Sequence, residues 1–72
     1  MILQINEKFV TWTNMFGKIF TGEITELDGD TIYVNTDKKT NIPLDISCND
    51  SFDLALKSAH MTYDDLNKLV YA

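Results

Sequence analysis

A chain of 72 residues with 44% hydrophobic side chains has the apolar supply for one small domain, and its Trp, four Phe and three Tyr argue against disorder. One cysteine (Cys48) and one histidine (His60) exclude an internal disulfide and leave a metal ion without an obvious ligand set. The net charge of −5 opposes broad contact with nucleic acid and suits a protein partner, above all one with a basic surface.

The first expected strand is Ile2 to Ile5, broken by Asn6-Glu7. Lys8 to Thr13 is β-branched and aromatic and reads as a second strand. Asn14 to Gly17 is a turn whose apolar Met15 and Phe16 are expected to fold back onto the core. The third strand, Lys18 to Leu27, alternates cleanly, with Phe20, Gly22 and Ile24 on one face. A mid-strand glycine there marks a bend or bulge.

Asp28-Gly29 predicts a tight hairpin in which both turn residues take positive φ. Strand four is Thr31 to Thr36, and Asp37 to Thr40 is a polar loop. Strand five, Asn41 to Ser47, turns Ile42, Leu44 and Ile46 to one face. Pro43 cannot donate a ladder bond, which makes this an edge strand and a place where copies of the chain would meet.

Near Cys48-Asn49-Asp50 the period changes from about 2 to about 3.6. A helix capped by Asp50 or Ser51 runs to about Ala59, with Phe52, Ala55, Leu56 and Ala59 on one stripe. Thr62 caps a second helix whose first turn holds Asp64 and Asp65, with Met61 stapled onto Leu66. The expected fold class is α+β: an antiparallel meander of four or five strands, open or closed as an SH3-like barrel, followed by two short helices. The chain is one domain, 1–72, with a sheet part over 1–48 and a helical part over 49–72. Its expected core is Ile5, Val10, Trp12, Phe20, Ile24, Leu27, Ile32, Val34, Leu44, Ile46, Phe52, Leu56, Leu66, Leu69 and Val70.

The segment GKIFTGEITELDGDTIYV (Gly17 to Val34) resembles the central hairpin of SH3-like and Sm-like small β-barrels. There, a bent strand carrying a glycine leads through a tight acidic turn into an Ile/Val-rich strand. The resemblance implies an architecture and carries no activity with it.

No residue pattern points to catalysis or to a cofactor. Glu26, Asp28 and Asp30 lack the spacing of a calcium loop, because the glycine is fourth from Glu26 and the twelfth residue is Asp37. Cys48 reads as a small buried hydrophobe, and His60 as a residue that meets the carbonyls at a helix end. The lone cysteine fits a reducing compartment. Polar Gln4 and Asn6 directly after Met1-Ile2-Leu3 give no signal-peptide pattern, and the expected location is the cytoplasm of a bacterial or host cell.

The expected function is therefore non-enzymatic protein binding, such as a small viral or mobile-element inhibitor that occludes the surface of a host enzyme or defence complex. The candidate contacts are the acidic residues Glu23, Glu26, Asp28 and Asp30, the lysines Lys38 and Lys39, and the aromatics Trp12 and Phe16. Two alternatives use subsets of these residues. Lys38 and Lys39 with an exposed aromatic would bind nucleic acid on a small barrel. The acidic residues would act as a nucleic-acid mimic.

Overall fold

In a computed structural model, residues 1–47 and 50–72 are described. The expected behaviour of Cys48 lies outside them. Five strands form one antiparallel sheet in the order β1-β2-β3-β4-β5. They are β1 (Ile2–Asn6), β2 (Phe9–Thr13), β3 (Ile19–Asp28), β4 (Thr31–Asn35) and β5 (Ile42–Asp45). Helices α1 (Asp50–Ser58) and α2 (Tyr63–Val70) follow, packing on β1 and β3 respectively. The sheet is open, so of the two expected forms the protein takes the meander. β1 and β5 are its edges, and Pro43 lies exposed on β5 as the edge assignment requires.

Two bulges decide which residues face inward. In β1 the register shifts between Ile2 and Gln4. Ile2 and Ile5, three residues apart and out of phase for a flat strand, therefore both enter the core. In β3 the shift falls between Ile24 and Glu26, which carries Leu27 to the same side as Ile24. The curl is tight at Gly22: a Cβ built there would lie 2.7 Å from the Asn35 carbonyl oxygen, so only glycine lets the two strands approach this closely.

The core joins Ile2, Ile5, Val10, Trp12, Ile24, Ile32 and Val34 of the sheet to Phe52, Ala55, Leu56 and Leu66 of the helices. Phe20, Leu27, Leu44, Ile46 and Val70 pack against it half-buried. Leu69 departs from expectation at 39% exposed. The inward line of α2 is Leu66 and Val70, four residues apart, and Leu69 falls to its side.

The β3–β4 turn also departs from the expected form. Asp28 pairs with Thr31, so the loop residues are Gly29 and Asp30, with positive φ (57°) at Gly29 alone. That is the pattern of a type II′ turn rather than type I′.

Both helices have specific ends. Thr62 and Asp65 form a reciprocal capping box: the Asp65 N–H donates to Thr62 Oγ1 (3.1 Å), and the Thr62 N–H donates to Asp65 Oδ2 (3.0 Å). At the end of α1, His60 adopts φ 56°. Its N–H donates to the Lys57 carbonyl (3.0 Å), and the Met61 N–H donates to Leu56 (2.9 Å), which closes a Schellman motif. It is thus the backbone of His60 that meets the helix carbonyls, while its side chain is exposed.

Candidate functional site

The loop between β2 and β3 is the most unusual surface feature. Met15 is 89% exposed and Phe16 is 86% exposed. They do not fold back onto the core as expected, because the loop is closed by polar contacts that leave both side chains outside. Asn14 Oδ1 accepts the N–H groups of Phe16 (2.9 Å) and Lys18 (3.0 Å). The Asn14 N–H donates to Lys18 and its carbonyl accepts from Gly17, which takes φ 80°. The chain is therefore ordered around two large apolar side chains that bury almost nothing.

The β4–β5 loop at the same end of the sheet uses the same device. Thr36 Oγ1 accepts the N–H groups of Lys38 (3.2 Å) and Lys39 (3.0 Å), and Asn35 Oδ1 accepts from Asn41 (2.9 Å). Between the two loops runs a groove of about 630 Å³ lined by Trp12, Phe20 and Ile42, with Lys18, Lys38 and Lys39 along it. Trp12 and Phe20 stack at 5.5 Å, and Lys18 Nζ stands 5.4 Å from the Phe20 ring centroid, a cation–π distance.

These three lysines are half of the six basic side chains in the protein. Lys8 pairs with Glu23 (3.9 Å) and Lys68 with Asp64 (3.4 Å). Lys18, Lys38 and Lys39 make no ion pair with a described residue. Asp37 is the one carboxylate among the residues that line the groove.

The expected contact residues are thus divided. Lys38, Lys39 and Phe16 share the end just described. Trp12 is 6% exposed and belongs to the core, and it reaches the groove only as part of its lining. Glu23 lies within the sheet beside Lys8. Glu26, Asp28 and Asp30 are exposed at and near the opposite end of β3, where Asp45 joins them: Thr31 pairs with Asp45, and the Ile46 N–H donates to the Asp30 carbonyl (2.8 Å). The Ser47 hydroxyl and N–H donate to the Asp45 carboxylate and hold its pKa below the usual value.

Met15 was not among the candidate residues. The apolar pair between Asn14 and Gly17 was a visible signal. The approach of Lys18 to Lys38-Lys39 depends on the pairing of β3 with β4.

The resulting charge distribution is polar, with lysines at one end and carboxylates at the other. At physiological salt, charges are screened over about 8 Å, so the acidic end is electrically remote from the groove. The groove's lining carries three lysines against one carboxylate, although the whole chain is negative.

Among the described residues, no three His, Cys, Asp or Glu side chains come together as a metal site, and no helix is long and apolar enough to cross a membrane. Compared with known proteins, the chain matches no family model, no curated protein and no solved structure.

Proposed function

We propose that this protein is a non-enzymatic binding module that engages another protein through the Met15-Phe16 loop and the adjoining groove. A chain of this size without chemistry of its own acts by covering a partner's surface, as an inhibitor of an enzyme or a defence complex does. The observation that carries this reading is the near-complete exposure of Met15 and Phe16 on a loop closed by Asn14. Large apolar side chains in water are unfavourable unless a partner buries them, and a pre-ordered loop reduces the entropy lost on binding. An aromatic at the centre of such a patch, seated in a pocket, is the usual anchor of an interface.

A second reading is favoured by one observation, the gathering of Lys18, Lys38 and Lys39 beside exposed Phe16. Cations and a stackable ring are the components of a single-strand nucleic-acid site. We place it second because three lysines supply few phosphate contacts, and Met15 offers no ring for stacking.

The test is photocrosslinking in lysate of the cells in which the protein acts, with Phe16 replaced by p-benzoylphenylalanine and a second probe at Asp30. The expected result is a discrete protein adduct at position 16 that survives nuclease. Nucleic-acid adducts at that position would select the second reading. Adducts at Asp30 alone would move the contact to the acidic end.

A further inference from the structure

We infer that the partner segment seated in the groove is a linear acidic peptide stretch carrying one large apolar side chain. The inference rests on the protein-binding reading above and specifies its occupant. It follows from charge and shape at one place. The groove has an apolar lining of Trp12, Phe20 and Ile42, and its polar edges carry Lys18, Lys38 and Lys39.

Each of these ammonium groups lacks a carboxylate partner within the described protein. An acidic segment would supply such partners while its apolar side chain covered the lining. A basic partner, which the overall charge of −5 had suggested, would meet three uncompensated lysines here. The basic groups are all lysines, compact point charges that accept carboxylates in many orientations rather than a fixed bidentate pair. That tolerance suits an extended peptide whose acidic residues vary in position.

The loops on either side are already closed by Asn14 and Thr36, so the groove is formed before the peptide arrives. Exposed Phe16 lies in the loop between the lining residues Asn14 and Lys18 and extends the contact onto the partner's own surface.

The experiment uses a phage-displayed library of random linear peptides, selected on the wild-type protein and counter-selected on Phe16→Ala. The expected enriched sequences carry Asp or Glu on both sides of one large apolar residue. A synthetic peptide of that kind is expected to bind about tenfold more weakly to Lys38→Glu/Lys39→Glu, and more weakly to wild type as salt is raised. Unchanged circular dichroism of the double variant, whose substituted side chains are exposed, shows that the loss is one of binding.

Phe16-dependent peptides that are neutral or basic would overturn this inference and leave the protein-binding reading standing. The absence of any Phe16-dependent peptide would overturn both. Saturable binding of labelled oligothymidine, or of phosphatidylserine-containing vesicles, that the same double variant abolishes would replace the peptide with nucleic acid or a membrane surface.

Discussion

The phenol of Tyr71 stands where a neighbouring strand would lie beside Leu27. The Leu27 N–H donates to Tyr71 Oη at 2.8 Å, and the same hydroxyl donates to the Leu27 carbonyl at 3.3 Å. Pairing of β2 with β3 ends at Phe9 and Glu23, so the later part of β3 has a free edge on this side. One side chain from the end of α2 satisfies a donor and an acceptor of that edge and fixes the helix against the sheet. Tyr71→Phe keeps the ring and removes both bonds. The expected cost is about 1 kcal/mol, small because the site is open to water, read as a lower urea midpoint with an unchanged slope. An unchanged midpoint would mean that packing alone holds α2.

Two glycines are required for different reasons. Gly22→Ala places a Cβ against the Asn35 carbonyl and is expected to cost about 1–3 kcal/mol, because backbone has to move. Gly29 has open space around it, but its φ of 57° is one that a β-branched residue resists, so Gly29→Val is expected to cost about 1–2 kcal/mol. Lys39→Ala, at an exposed side chain, should lie within about 0.5 kcal/mol of wild type. Equal thermal midpoints for Gly29→Val and Lys39→Ala would contradict the turn.

His60 occupies the left-handed position that ends α1, where glycine is the favoured residue. His60→Gly relieves that conformation at the expense of a more flexible unfolded chain. The net expectation is a gain of about 0.5–1 kcal/mol, measured by urea denaturation. A loss of stability would show that the imidazole makes a contribution beyond the backbone.

Asp65 supplies the pH dependence of α2. The Thr62 N–H, and next the Thr62 hydroxyl, donate to the Asp65 carboxylate and hold its pKa below the ordinary 3.8. A carboxylate depressed by folding contributes stability that is fully present above 3.8 and is lost as pH falls through the lower folded value. Acid should therefore loosen the α2 cap, and Asp65→Ala should show a flatter dependence of the urea midpoint on pH over that window. Carboxyl NMR titration of Asp65 at or above 3.8 would contradict the capping box.

Much of the fold was legible because it is written locally. Alternation separates the strands of the meander, Pro43 marks an edge, and Thr62 with Asp65 states where α2 begins. Leu69 falls outside the core because a helical stripe gives a range of inward angles, and only the position of α2 on β3 chooses within it. Ile2 enters the core against expectation because a bulge breaks the alternation of β1. The Met15-Phe16 pair looked apolar and so looked buried. Hydrophobicity reports the gain available from burial, while the bonds of Asn14 decide whether the backbone allows it.

The sequence by itself determined the element order, the open edge at β5 and the start of α2, since each depends on residues within a few positions of one another. Only the tertiary structure decided the polarity of the molecule. Net charge is a sum and carries no positions. Antiparallel pairing of β3 with β4 brings Lys18 to Lys38 and Lys39, sends Asp28 and Asp30 to the far end, and separates the two groups beyond the reach of screened electrostatics.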